Sequence, residues 1–379
     1  MTETILSNAL VVLEDRTLAG SVLIRDGLIA DITEGPSGLA GAEDCAGDIL
    51  MPGIIDLHTD NLERQVMPRP GARWPSRSAF LAHDGQCAAA GVTTVFDALC
   101  VGNLNFDNED RIRTFQDGVD DLTALTGSSL LRADHFLHLR CELPAENMLA
   151  LVEPVIAHPL ARMASLMDHT PGVGQYADLA RFRARKSVSG GTSLAAIDSE
   201  IDILQANRAR LRGPNRRALL DMVAGHPMVL ASHDDETVEE VEENHAAGIA
   251  ISEFPVRLGA AKRAKALGMT VIAGAPNIVR GGSHSGNVAA SDLLAAGAAD
   301  ALASDYVPPA LLEAAFIVAD SGLGLPAGIA LVTAGPARMA GLTDRGRIAP
   351  GLRADLLRVR RSGGLASPVA VWRQGLRVA

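Results

Sequence analysis

A chain of 379 residues is long for one ordinary domain and suits a barrel carrying a smaller accessory domain. With 47% hydrophobic and 21% charged residues and no low-complexity tract, it reads as an ordered globular protein, which excludes disorder as its default state. The 34 Lys and Arg against 45 Asp and Glu give a net charge of −11, which argues against a nonspecific nucleic-acid or anionic-membrane binder while leaving room for a local basic pocket.

Met1 to Leu10 carries no basic region followed by an apolar stretch, and no apolar run approaches the roughly 20 residues of a membrane span, so a cytoplasmic protein is expected. Cys45, Cys87, Cys100 and Cys141 are scattered without a CxxC pair. They predict small buried hydrophobes in a reducing compartment, with neither a disulfide framework nor a thiolate zinc site.

At the start of the chain, Ala9–Leu13, Ser21–Arg25 and Leu28–Ile32 read as strands, and Asp26-Gly27 between the last two as a hairpin turn. The end repeats this style in Ala354–Val359 and Val369–Gly375. Between the two ends, short apolar strands alternate with longer helical segments, the pattern of βα units on a parallel sheet. Eight candidate strands end near His58, Ala98, Glu142, His169, His233, Glu253, Pro276 and Asp305, and eight is the number that closes a (β/α)8 TIM barrel. The stretch between strands four and five exceeds the roughly 30 residues of one βα unit, which predicts an insertion. It is rich in cations: Arg181, Arg183, Arg185, Lys186, Arg208, Arg210, Arg212, Arg216 and Arg217. Solvated helix faces account for most of these, although a lid offering a few cations to an anionic substrate would look the same.

Reactive side chains of a barrel sit where strands end. Here those positions are occupied by His58, Asp60, Glu142, His169, His233, Glu253 and Asp305, and imidazole with carboxylate is the donor set of zinc, manganese or iron. His58 and Asp60, two residues apart on an extended segment, face the same way and could touch one metal. Asp305, after the eighth strand, is placed to bind metal and to take a proton from an attacking water; a helix N-cap is the competing explanation. Arg280, Gly281, Gly282, His284 and Asn287 lie in a Gly-rich run ahead of a helical segment, where converging backbone N–H groups could make a phosphate cradle, though not a Walker loop; an ordinary flexible turn before a capped helix is the alternative and would need none of Arg280, His284 or Asn287. A second cationic loop, Arg69 to Arg77, follows the first strand, and its Arg69 and Arg73 are expected to overhang the same mouth.

Met51–His58, Ala90–Thr94 and Gly346–Leu356 resemble signatures of the amidohydrolase superfamily at corresponding places along nearly the whole chain. This resemblance implies that both chain ends, residues 1–52 and 345–379, build one composite β-sandwich domain beside a barrel of residues 53–344. Within the superfamily, His58–Leu62, Pro68–Pro70, Ser78–Asp84, His138–Leu143, Ser165–His169, Ala231–Asp235 and Gly274–Asn277 running into Arg280–Asn287 look like the alpha-D-ribose 1-methylphosphonate 5-triphosphate diphosphatases (PhnM-type) of the carbon–phosphorus lyase pathway. The chain departs from the wider superfamily in having Asp60 where its first motif places a second His. No counterpart of the bridging carboxylated Lys is evident either, and Glu142 is the natural substitute.

The resemblance implies hydrolysis of the ribose triphosphate between its α and β phosphorus, with release of pyrophosphate. It implies a divalent transition metal, two ions, with zinc first and manganese or iron open, held by His58, Asp60, Glu142, His169, His233 and Asp305. The superfamily draws its later histidines from strands five and six, whereas this chain has His169, His233 and Glu253 after strands four, five and six. Either the strand count slips by one, or His169 has another role and Glu253 stands near a metal. Arg140, in the His138–Leu143 motif, joins the substrate-binding set. The expected partner is a small molecule, with no nucleic acid and no membrane, and a homo-oligomer stays open. Two rivals are a barrel that hydrolyses C–N bonds and a metal-free barrel serving as a binding module.

Overall fold

Strands that are covered on both faces need continuous apolar runs, and the barrel strands have them. The computed structural model describes residues 3–104, 109–190, 193–283 and 286–379. His284 lies outside the described residues. Eight parallel strands follow chain order around one sheet: β1 Ile54–Thr59, β2 Val92–Val101, β3 Asp134–Glu142, β4 Ala161–Met167, β5 Val229–His233, β6 Ile251–Glu253, β7 Thr270–Gly274 and β8 Ala301–Ala303. Every residue of β1 and β2 is buried. The last strand returns to the first through two backbone bonds, from Asp305 N–H to the His58 carbonyl at 2.9 Å and from Asp60 N–H to the Asp305 carbonyl at 2.8 Å. Closure of the barrel therefore brings Asp305 beside His58 and Asp60.

The eight strands end where the sequence placed them to within a few residues, so the strand count did not slip. His233 and Glu253 close β5 and β6, and His169 follows β4 by two residues. Among the described residues, the long stretch between β4 and β5 holds a 3-10 turn, Gly174–Tyr176, and two α-helices, Leu179–Gly190 and Leu194–Val223. Among the described residues, no helix is long and apolar enough to cross a membrane. All four cysteines are buried and unpaired.

The chain ends meet in a second, mixed sheet whose order runs Leu376–Arg377, Leu365–Arg373, Leu356–Ser362, Ile49–Pro52, Glu3–Val12, Thr17–Arg25, Leu28–Glu34, with the short Glu43–Asp44 strand also pairing with Glu3–Val12. Leu6, Val11, Val22, Ile24, Leu50, Leu356 and Trp372 form its core. Arg345, on the segment leading into the Leu356–Ser362 strand, grips the starts of β3 and β2, with Asp134 Oδ2 at 2.7 Å and Thr94 Oγ1 at 2.9 Å. That end is opposite the strand termini that carry the chemistry.

The His83-Asp84 pair sits on the helix Ser76–Ala89 in a buried charged network with Asp97 of β2 and His135 of β3. Asp97 receives His83 Nε2 at 2.7 Å and His135 Nδ1 at 2.8 Å, and His135 Nε2 lies 3.3 Å from Asp84. Burial opposes the charged form of His135, but the carboxylates of Asp97 and Asp84 outweigh it and raise the ring to about 9. Burial likewise opposes the Asp97 charge, and His135 with His83 overcomes it, holding the carboxyl at about 2. A raised folded-state value means that the stabilisation from His135 is complete below its unfolded value of about 6.5 and is lost as pH rises through about 9. The melting temperature is accordingly expected to fall between pH 6.5 and pH 9.5 in the wild type. In His135→Gln it should start lower and follow a flatter profile, as read by calorimetry or circular dichroism.

Candidate active site

Side chains two apart on a strand share a face, and the register of β5 with β6 converts this into a site. Ala231 pairs with Ile251 in the apolar barrel interior, and two residues on His233 pairs with Glu253. On β3, the alternate residues His138, Arg140 and Glu142 likewise line up toward the barrel mouth, with Ser165 of β4 beside Arg140.

Glu253 is fully buried and lies between two imidazoles. Its Oε1 is 2.8 Å from His58 Nδ1, its Oε2 is 2.7 Å from His233 Nδ1, and Ser165 Oγ lies 2.9 Å from Oε2. Burial works against this carboxylate's charge, but His58, His138 and the His233 bond overcome it and hold it well below the usual range. An ionised carboxylate only accepts, so the Nδ1 atom of each ring must carry the hydrogen, which leaves both Nε2 lone pairs available. Glu142 does the same for His169. Its Oε1 accepts the His169 backbone N–H at 2.8 Å and its Oε2 the Nδ1–H at 2.6 Å. Burial and His169 set the Glu142 carboxyl in opposition, and His169 prevails, lowering it. Carboxylate behind imidazole is how metal-ligating histidines are oriented.

The three rings form one cluster. His58 stacks on His233 with centroids 5.7 Å apart, and His169 meets His233 edge-on at 5.4 Å. Asp234 Oδ2 stands 3.7 Å from His233 Nε2 and 3.9 Å from His169 Nε2, close enough for the three to share a cation. That oxygen and Asp60 Oδ1 are both buried without a hydrogen-bond partner. Burial, with Asp305 adding and Arg140 opposing, pushes the Asp60 carboxyl up to about 6. Unpartnered buried carboxylate oxygens beside Nε2 lone pairs fit a divalent cation, which would offset their burial.

Three residues at the ends of barrel strands, Asp234 and Phe254 directly after β5 and β6 and Asp305 two residues after β8, take left-handed backbone angles of φ 57°, 52° and 56°. Each keeps its N–H on a neighbouring strand carbonyl, those of Glu253, Ile272 and His58 respectively. For a residue as bulky as Phe254 this conformation costs roughly 1–3 kcal/mol. The turn places its ring edge against His58 at 5.1 Å and His233 at 5.5 Å. Asp305 does not cap the following helix, which starts at Ala310 behind Pro309.

Above these residues opens a cavity of about 460 Å³. It is lined by Asp60, Glu142, Asp234 and Asp305 with the three imidazoles, and by the cations Arg111, Arg140, Arg185, Lys186 and Arg280. Arg140 is nearly buried and reaches Asp60 Oδ2 at 3.4 Å.

No family model matches the chain. It is 41% identical over 377 residues, 99% of this chain and 100% of the relative, to the alpha-D-ribose 1-methylphosphonate 5-triphosphate diphosphatase of Escherichia coli K12. The chain belongs to this diphosphatase family. Among solved structures, it resembles 5-methylcytosine deaminase from Klebsiella pneumoniae with phosphonocytosine, at TM-score 0.66 and 16% identity over 99% of this chain and 98% of that one. It also resembles N-isopropylammelide isopropylaminohydrolase from Burkholderia multivorans, at TM-score 0.63 and 19% identity over 100% and 98%. These two likenesses show the amidohydrolase fold.

On this family member, the structure brings His58, Asp60, Glu142, His169, His233 and Asp305 to one cavity, with Arg140, Arg280, Gly282 and Asn287 around it. Gly281 ends the helix Ala275–Arg280 in a left-handed conformation and does not line the cavity. The loop bearing Arg69 and Arg73 is a correction. Neither arginine reaches the cavity, because Arg73 pairs with Asp117 at 2.7 Å and with Thr114 at 3.1 Å on the helix Glu109–Leu125. Arg69 only closes a local bridge to Ala72. Sequence reasoning missed Asp234, which the His233-Asp234 adjacency at a strand end could have signalled. It also missed Phe254 and Arg111, for which no local signal exists.

Glu253→Gln keeps the side chain's shape but replaces one acceptor by a donor facing an Nδ1–H. It is expected to weaken metal binding about 10- to 100-fold, as measured by titration against a competing chelator, with the protein still folded.

Proposed function

We propose that this protein is a metal-dependent hydrolase that cleaves alpha-D-ribose 1-methylphosphonate 5-triphosphate between its α and β phosphorus, releasing pyrophosphate and leaving the 5-phosphate. The observation that carries this reading is the full-length likeness to the E. coli diphosphatase. The cavity suits such a polyanion, being lined by Arg111, Arg140, Arg185, Lys186 and Arg280 as well as by the imidazoles and carboxylates.

His169, His233 and Asp234 would hold one divalent cation and His58, Asp60 and Asp305 a second; imidazole with carboxylate favours zinc and also accommodates manganese and iron. A cation so held supplies Lewis acidity and acidifies water near neutral pH. The remaining work falls to the chain's own groups. The Asp305 carboxylate, fixed by its two backbone bonds to β1, accepts the proton of the attacking water. Arg140, whose Nε is buried without a partner, holds phosphoryl oxygens beside Asp60. Glu253 and Glu142 keep the rings in the tautomer that presents Nε2. Lining cations such as Arg280 offset the charge of the phosphate chain. We place the reaction in the cytoplasm, with a small molecule as the partner.

Two outcomes test this. The metal-loaded protein should release pyrophosphate, detected by a coupled pyrophosphatase assay, and lose that activity on chelation; robust hydrolysis of N-acyl amino acids with no pyrophosphate would replace the reading with C–N hydrolysis. Asp305→Asn should lower kcat by about 10²- to 10⁴-fold while the pyrophosphate-releasing specificity of the residual activity is kept.

A further inference from the structure

Of the nine cations on the helical insertion between β4 and β5, five pair with carboxylates away from the cavity. Arg183 pairs with Asp198 at 2.7 Å, Arg208 and Arg212 with Asp168 at 2.7 and 3.3 Å, Arg210 with Glu146, and Arg216 with Glu243 at 3.3 Å. None of these lines the cavity. Arg185 and Lys186 do.

Both are reached from the metal-binding cluster along one aromatic path. The ring of Tyr176 lies 6.0 Å from that of His169, and the Arg185 guanidinium lies over Tyr176 at 4.7 Å. Phe182 continues the path at 5.5 Å from Tyr176, and the Lys186 ammonium stands 5.8 Å from its centroid. Stacking on a ring restricts a guanidinium to few orientations, so less freedom is lost when it grips an anion. Lys186 is also held by Glu200 of the second insertion helix, at 2.6 Å, and Glu200 itself lines the cavity.

We propose that Arg185 and Lys186 form the subsite for the β and γ phosphates, the leaving pyrophosphate, and that Glu200 competes with those phosphates for Lys186. This rests on the reading of the reaction given above. With the α phosphorus at the metal-binding cluster, the rest of the phosphate chain extends away from the imidazoles, and the Tyr176–Phe182 wall is where two cations follow His169 outward. Lys186 exchanges a carboxylate partner for a phosphate one as substrate enters. The carboxylate therefore weakens the grip and helps pyrophosphate leave.

The competition gives a test of sign. If the Lys186–Glu200 pair merely fastens the two insertion helices, removing either charge should act in the same direction. A phosphate subsite predicts opposite effects. The probe is inorganic pyrophosphate binding to the metal-loaded protein by calorimetry, with the KM for the triphosphate measured alongside. Lys186→Gln and Arg185→Gln should each weaken pyrophosphate binding and raise KM by about tenfold or more. Glu200→Gln should tighten binding and lower KM by about threefold or more. Parallel shifts for Lys186→Gln and Glu200→Gln, or pyrophosphate binding unchanged in both, would overturn the proposal. Failure of the reaction itself is a separate result: a wild type that releases no pyrophosphate from the triphosphate refutes the function, while the calorimetric signs still decide whether the subsite exists.

Discussion

One buried carboxylate organises the site. Glu253 has no solvent, and a lone charge there would be prohibitively costly; it persists because two imidazole N–H groups and the Ser165 hydroxyl converge on it. Breaking one partner of such a buried pair typically costs roughly 3–5 kcal/mol, so the geometry is held tightly. The same bonds decide chemistry. By taking both Nδ1 hydrogens, Glu253 turns two rings from β1 and β5 into donors of their Nε2 lone pairs, and Glu142 repeats this for His169.

The barrel then spends strain at its mouth. Asp234, Phe254 and Asp305 adopt left-handed angles while their N–H groups stay on neighbouring strands, so each side chain turns toward the cavity without opening the sheet. The closure between Asp305 and β1 is part of this arrangement. Around these groups the cavity is also lined by Arg111, Arg140, Arg185, Lys186 and Arg280. A cluster of imidazoles and carboxylates in a cavity that is also lined by cations is suited to a substrate whose negative charge lies along a chain rather than at one point.

Much of this was legible in the sequence, for physical reasons. Fully buried parallel strands need apolar runs, and strand ends carrying His or carboxylate stand out against them, so the eight βα units and His58, Asp60, Glu142, His169, His233 and Asp305 could be found by counting. Roles were harder. Glu142 and Glu253 have the composition of ligands, and only three-dimensional contact reveals that each faces an Nδ1–H. Arg73 illustrates the converse: its loop follows β1, which carries His58, but the acidic side of the helix Glu109–Leu125 captures it. The cations of the insertion were indistinguishable in sequence, because helix phase and the placement of Asp168, Asp198 and Glu243 decide which are held away from the cavity and which line it.

The most direct test of the account is a crystal structure of the metal-loaded protein with anomalous data at the metal edge. The account predicts metal bonded to Nε2 of His58, His169 and His233 and to oxygens of Asp60, Asp234 and Asp305, with Glu253 still bound to both Nδ1 atoms and outside the coordination sphere. Coordination through Glu253 oxygens, or through Nδ1 of His58 or His233, would contradict it.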